Sequence, residues 1–156
     1  MDVVSSMKEY ILVSVGPEKI QIKEREEITH KLKNRFYQFN NIDTEKLNKI
    51  YNLSFCLLYP SSYEGFGIPL LEAMKAGCPV ISTNKSSIPE VCGNSAILVN
   101  KITKDKFIEA INSLENKNFR AKLIKKGSSQ AKKFNWNKCF EETMKFYSEL
   151  QINKLI

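Results

Sequence analysis

The chain has 156 residues, 42% of them hydrophobic and 26% charged, the balance of a single soluble globular domain with its own core. No apolar run approaches the roughly 18–20 residues that span a bilayer, and the opening Met1-Asp2-Val3-Val4-Ser5-Ser6 lacks the basic flank and apolar centre of a signal peptide. The formal charge of +7 raises nucleic acid as a partner, but the densest lysines, Lys122, Lys125, Lys126, Lys132 and Lys133, have no aromatic stacking platform among them. A solvated face accounts for them; weak attraction to an anionic bilayer surface is the sharper alternative.

Strands and helices alternate along the first hundred residues. Tyr10–Val15 reads as a short strand ending at Gly16-Pro17, and a charged helix follows from about Lys19 to Lys33, with Ile20, Ile28 and Leu32 among its apolar positions. Phe36–Phe39 is a second strand. Asp43 or Thr44 caps a helix through about Tyr51, with Leu47 and Ile50 inward. Phe55–Tyr59 has the length and residue types of a buried strand, and a loop with two glycines separates it from a helix over Pro69–Ala76. Pro69 suits a first helical turn, Gly67 can precede it, and Gly77 before Pro79 has the pattern of a left-handed C-cap. Pro79–Ser82 and Ala96–Val99 are the fourth and fifth strands, with at most one helical turn at Pro89–Cys92 between them.

The remainder is helical. Thr103 or Asp105 starts a helix with Phe107, Ile108, Ile111 and Leu114 on one face. A second helix, about Asn118 to Lys133, turns Phe119, Leu123, Ile124 and Ala131 inward. A third begins near Trp136, and its stripe of Phe140, Met144, Tyr147 and Leu150 reads as core rather than as a ligand platform. The chain therefore predicts an α/β fold: a doubly wound, mostly parallel Rossmann-like sheet with helices on both faces and a helical C-terminal tail. The alternating core spans 10–100 and the C-terminal helices 103–152, within one domain over 1–156.

Cys56, Cys78, Cys92 and Cys139 are widely spaced, and His30 is the single histidine. Neither a zinc site nor a disulfide scaffold fits this pattern, and the cysteines read as reduced, mostly buried thiols of a cytosolic protein.

The chemistry concentrates at the third strand, its glycine loop and the following helix. In such a doubly wound sheet, ligands collect at the C-terminal edge of the strands, where this loop lies. Backbone N–H groups and the helix dipole make it an anion site. Glu64 and Glu72 flank it with acceptor-only carboxylates suited to paired sugar hydroxyls. Amides for phosphate beside carboxylates for hydroxyls suit a sugar nucleotide. Taken singly these features are ordinary: Glu72 can merely favour the helix dipole, and Glu64 can be a solvated loop residue.

The whole string is far more specific. Pro60-Ser61, Tyr63-Glu64-Gly65-Phe66-Gly67-Ile68-Pro69, Leu71-Glu72-Ala73-Met74, Gly77-Cys78-Pro79-Val80 and Ser86-Ser87-Ile88-Pro89-Glu90-Val91 resemble the C-terminal domain of family-four glycosyltransferases, enzymes of the two-domain GT-B architecture. The resemblance implies a retaining transferase that takes a hexose-type sugar from a nucleotide-sugar donor to a saccharide or lipid-linked acceptor, in surface polysaccharide assembly at the cytoplasmic side of a membrane. It implies that the amides of Gly65, Phe66, Gly67 and Ile68 hold the diphosphate and donor sugar. Glu64 then lies against the donor sugar hydroxyls as the catalytic residue, and Glu72 takes the ribose hydroxyls. Phe39 and Asn40 are candidates for the nucleobase side, and Glu90 reads as a structural cap of a local turn. No cofactor and no metal is implied, and a phosphate oxygen of the leaving group takes the acceptor proton.

The sequence also departs from that family. The acceptor-binding N-terminal domain has no room in 156 residues. The Arg–Lys pair that follows the family domain's opening strand and clamps the diphosphate has no match either: Tyr10–Val15 resembles a later strand, and the context of Lys19, Lys23 and Arg25 does not fit a clamp. Missing charges at a developing diphosphate cost several kcal/mol, on the order of a thousandfold in rate, so the isolated chain is expected to be inactive. Three readings follow: part of a longer transferase, the donor-binding subunit of a split enzyme, or a non-catalytic binding module. In the family the last helix crosses toward the partner domain. An exposed apolar patch on that helix and on the 43–51 helix favours the split enzyme, and a closed polar surface the module.

Overall fold

A computed structural model describes residues 2–16 and 20–152; Pro17 and Lys19, assigned above to a turn and to a helix start, lie outside the described residues. In chain order the elements are α1 (Asp2–Ser6), β1 (Leu12–Gly16), α2 (Ile22–Leu32), β2 (Phe36–Asn40), α3 (Thr44–Leu53), β3 (Leu57–Tyr59), α4 (Ile68–Lys75), β4 (Val80–Thr83), α5 (Ile88–Cys92), β5 (Ile97–Val99), α6 (Lys104–Ser113), α7 (Lys117–Ala131) and α8 (Trp136–Ile152). The alternation, the parallel pairing and the helical tail follow the sequence closely. The short α1 was not foreseen. The Val4 carbonyl of α1 and those of Met7 and Tyr10 just after it accept from the Arg35 guanidinium at 2.7 to 3.3 Å, a tie that joins segments some thirty residues apart.

Every strand pairs in parallel, and β4 shows why the sheet is covered on both sides. Its residues Val80-Ile81-Ser82-Thr83 are all buried, as expected of a central strand sandwiched between helix layers. Val80 packs with Leu70, Ala73 and Met74 of α4 and Ile88 and Cys92 of α5. Ile81, pointing the other way, packs with Met7, with Phe107, Ala110 and Ile111 of α6, and with Leu123 of α7. A third cluster holds Val4 against Ile28 and Leu32 of α2. Alternation along one strand thus feeds two cores, the doubly wound arrangement.

Continuity of the sheet is where the structure departs from the expected pattern. The strands fall into two hydrogen-bonded groups, β1 with β2 and β3-β4-β5 in that order. Between β1 and β3 lies a slot of about 950 Å³.

Three side-chain assignments also change. Trp136 is 80% exposed, and Phe140, Met144, Tyr147 and Leu150 are exposed as well; the α8 stripe is not core, because no other described element lies over it. Leu47 and Ile50 of α3 are only half-buried: they line the slot and find no packed layer beyond it. Phe119 is 40% exposed, and α7 instead buries Leu123, Gly127 and Ala131. Gly127 sets that contact, since a Cβ there would stand 3.2 Å from Met74 Cγ.

Candidate functional site

The glycine loop joins β3 to α4 at the C-terminal edge of the sheet, and the end of the central strand anchors it. Ser82 and Thr83 are fully buried hydroxyls. Ser82 Oγ donates to the Tyr59 carbonyl at 2.7 Å and Thr83 Oγ1 to the Ser61 carbonyl, so both polar groups are satisfied and the loop's first residues are pinned. The following connection supplies a second tether. Ser86 Oγ donates to the Glu64 carbonyl at 2.7 Å, and Ser87 Oγ donates to the carbonyls of Glu64 and Phe66 at 2.9 and 3.0 Å. Ser86 makes its bond from a left-handed backbone, φ 51°, an unusual conformation for a non-glycine residue.

These bonds occupy the loop's carbonyls and leave its amides. Among the described residues, no group accepts from the N–H of Gly65, Phe66, Gly67 or Ile68. Gly67 is the N-cap of α4 with φ 103°, which a Cβ would disfavour, and that Cβ would also meet Leu70 Cδ1 at 2.8 Å. Pro69 brings no N–H, and the Leu70 N–H is taken by the Gly67 carbonyl at 3.0 Å. The donors at this loop and helix start are therefore the four amides just named. Gly65 is exposed, and a Cβ on it would meet nothing within 4 Å.

Each of the two glutamates has a tyrosine beside it, Tyr59 at Glu64 and Tyr51 at Glu72. The Tyr59 hydroxyl donates to Glu64 Oε1 at 2.7 Å, which fixes the half-buried carboxylate. Burial, reinforced by that carboxylate, pushes the Tyr59 phenol up to about 12, so it remains a donor throughout the neutral range. Glu72 is exposed on α4 and lines the slot together with Pro69, Tyr59 and Tyr51. Burial, with the Glu72 charge beside it, likewise raises the Tyr51 phenol above its ordinary value. Phe66 lays its ring edge-on against Phe134, 5.7 Å between centroids, tying the loop to the segment between α7 and α8. Phe39 and Asn40 lie at the C-terminal end of β2; Phe39 lines the slot, and the Asn40 amide donates to the Gly16 carbonyl at 3.1 Å. Glu90 is exposed in the first turn of α5.

Glu64 to Ile68 therefore lie in the loop and at the start of α4, and Glu72 lies further along the same helix. Tyr59, Ser82, Thr83, Ser86 and Ser87 were not singled out from sequence for their bonds to the loop, nor Tyr51 for its place beside Glu72. Ser86 and Ser87 belonged to the string, but a hydroxyl's partner 21 to 23 residues away leaves no local pattern. Among the described residues no group of three or more His, Cys, Asp or Glu could hold a metal ion.

The family model described as glycosyl transferases group 1 matches residues 3–130. The O-antigen chain mannosyltransferase B of Escherichia coli is 36% identical over 110 residues, covering 70% of this chain and 29% of that protein. The sucrose-phosphate synthase of Thermosynechococcus elongatus superposes with a TM-score of 0.82 at 23% identity, over 97% of this chain and 42% of that one. Anabaena HepE in complex with UDP and glucose superposes with a TM-score of 0.78 at 16% identity, over 95% of this chain and 44% of that one. At such identities these two likenesses speak for the fold. The chain spans less than half the length of each of these relatives.

Proposed function

The chain belongs to the glycosyl transferases group 1 family, and from that premise we propose that it is the nucleotide-sugar-binding part of a retaining transferase acting in polysaccharide assembly. One observation carries the reading. The four loop amides Gly65 to Ile68 are unengaged, with the loop's carbonyls tied back by Ser86 and Ser87 and a carboxylate on either side. A diphosphate fits the amides and the helix dipole. Glu64 faces the sugar hydroxyls, and Glu72 the ribose.

In the reaction, the bond from the anomeric carbon to the diphosphate oxygen breaks, and a bond to the acceptor oxygen forms on the same face. The leaving diphosphate keeps the electron pair, and one of its oxygens takes the acceptor proton. The oriented amides act on the charge that develops there. No metal and no cofactor is required. The acceptor, a saccharide or lipid-linked saccharide, is held outside these residues. The described residues contain no helix long and apolar enough to cross a membrane, and a cytoplasmic position with peripheral membrane contact fits such an acceptor. The E. coli relative is an O-antigen chain mannosyltransferase, which supports a surface polysaccharide as the product.

The exposed apolar surface of α8, with Leu53 of α3 88% exposed, favours a chain that works against a further domain or subunit over a self-contained binding module. Calorimetry with a panel of nucleoside diphosphates and sugar nucleotides tests the donor site. Roughly micromolar to low-millimolar binding that is lost in Glu72→Ala supports it; no binding by any nucleotide would overturn it for this chain.

A further inference from the structure

The chain's excess positive charge collects on α7. Between Glu115 and Glu141 the sequence places eight of its 24 cations and none of its 17 acids, so the rest of the chain is close to neutral. α7 buries Leu123, Gly127 and Ala131, with Gly127 against Met74 of α4. Successive residues of a helix stand about 100° apart, so Lys122, Lys125, Lys126 and Lys132 fall within an arc of about 120° on the side opposite that buried face. Lys133 stays on the same turn through its N–H to the Gln130 carbonyl at 3.0 Å. All five lysines are exposed, and among the described residues none of them forms an ion pair. They make one uncompensated basic face about 16 Å long.

The make-up of the face selects a fluid polyanion over a structured one. Between Lys122 and Lys133 there is no arginine and no aromatic residue. Single-stranded nucleic acid calls for stacking rings within the basic track, and base edges call for arginine, asparagine or glutamine. Gln130, the one amide side chain in the span, is engaged by the Val91 carbonyl at 2.9 Å. Lysines are compact point charges that impose no planar geometry, which suits headgroups free to rearrange around them. A helix lying flat presents all five to a plane at once, and each gains from the surface potential of anionic lipid. A second copy apposed through the same face would set lysine against lysine.

We propose that the outer face of α7, from Lys122 to Lys133, is the surface by which the protein seats on an anionic bilayer. The contact is electrostatic and shallow, made by lysine heads at the level of the lipid headgroups. Phe134, one residue beyond Lys133, packs edge-on against Phe66 of the glycine loop. The basic face therefore runs up to the donor loop, and a seated chain holds that loop near the bilayer surface, where a lipid-linked acceptor resides. This names the surface for the peripheral membrane contact proposed above; it rests on that reading for its purpose but not for the binding itself.

The test is co-sedimentation of the whole chain with vesicles of phosphatidylcholine, alone or with about 30% phosphatidylglycerol, at rising salt. Binding is expected to the anionic vesicles only, and to fall steeply with salt. The combined substitutions Lys122→Gln, Lys125→Gln, Lys126→Gln, Lys132→Gln and Lys133→Gln keep helix propensity and should weaken binding by at least about thirtyfold. Lys23→Gln, Lys46→Gln, Lys49→Gln, Lys104→Gln and Lys106→Gln together make the same change in net charge on α2, α3 and α6, and should weaken it by less than about threefold. Thermal melts check that both variants fold. Nucleotide affinity, measured alongside, should be the same in both, so the donor reading and this one can fail separately. No binding to anionic vesicles, or equal losses in the two variants, would overturn the proposal. Tighter binding of double-stranded DNA than of the vesicles, lost in the first variant, would overturn it in favour of nucleic acid.

Discussion

Tyr59 ends β3 and Glu64 lies five residues on, in the glycine loop, yet the Tyr59 hydroxyl reaches back to the Glu64 carboxylate at 2.7 Å. The loop is thereby closed on itself at the residue read as catalytic. A hydrogen bond to a charged acceptor is worth about 1.5–3 kcal/mol, enough to choose one rotamer of a half-buried glutamate. Tyr59→Phe keeps the ring and removes the donor. Sugar-nucleotide affinity should fall by about tenfold, while that of the bare nucleoside diphosphate, bound by amides, should hardly change. Calorimetry with both ligands separates the two, and equal losses would place Glu64 away from the sugar.

The same pair makes an alkaline signature. The Tyr59 phenol is raised by burial to about 12 in the folded chain, against about 10 in an unfolded one. Between those values the unfolded chain has lost its proton and the native one keeps it, so this group's stabilisation is complete below about pH 10 and is lost toward pH 12. Tyr59→Phe should therefore flatten part of the fall in stability across that window. Urea midpoints of the two proteins at pH 9 and pH 11 give the difference directly.

Gly65 and Gly67 separate ligand binding from folding. Gly67→Ala places a Cβ at φ 103° and 2.8 Å from Leu70 Cδ1, and should cost about 2–3 kcal/mol of stability. Gly65→Ala meets nothing within 4 Å and should change stability by less than about 0.5 kcal/mol. If the loop amides hold a diphosphate at close approach, Gly65→Ala should nevertheless weaken nucleotide binding by about tenfold or more, since backbone contact leaves little room for a methyl group. Unchanged binding would move the phosphates off this loop.

How much of this was legible in the sequence depends on how local its cause is. The α4 boundaries were, because Gly67, Pro69 and Gly77 act through their own backbone; Gly77 indeed sits at φ 76°. Asp43 was legible as a cap for the same reason, and its carboxylate accepts from the Lys46 N–H at 2.8 Å. The break in the sheet was not, since an apolar strand reads alike whether one edge or both are paired. Nor was the exposure of α8: periodicity gives it an apolar stripe, and only the neighbouring elements decide whether the stripe is covered. Tyr59 was read as a strand residue, and nothing in its neighbours marks which carboxylate its hydroxyl meets.

The α4–α7 contact supports the loop from behind. Gly127 lies against Met74, with Cγ at 3.2 Å from an added Cβ. Gly127→Ala gains up to about 1 kcal/mol of helix propensity and must shift a thioether chain by a few tenths of an ångström, so it should be near neutral. Gly127→Leu cannot be accommodated so cheaply and should lose about 2–3 kcal/mol. Denaturation curves of the two variants check this, and a neutral leucine would mean that the helices can separate.

The thiols should divide by burial. Cys56 and Cys78 lie near one another beneath β3, and burial pushes them up to about 12 and about 11, despite the nearby Arg120 guanidinium, which favours the thiolate. Burial alone raises Cys92 to about 11. Thiolate is the reactive form, so at pH 8 these three are held protonated; Cys78 and Cys92 are also buried, and Cys56 is half-buried. Cys139, on the outer surface of α8, is exposed. An aromatic disulfide reagent should therefore titrate one thiol in the native chain and four in denaturant, with mass mapping to Cys139. Cys56 borders the slot between β1 and β3, so its slow residual labelling reports on that slot. Rapid labelling of Cys56 in the native chain would mean that β1 and β3 move apart more readily than the folded packing of Tyr10 against Phe55, 5.0 Å between ring centroids, allows.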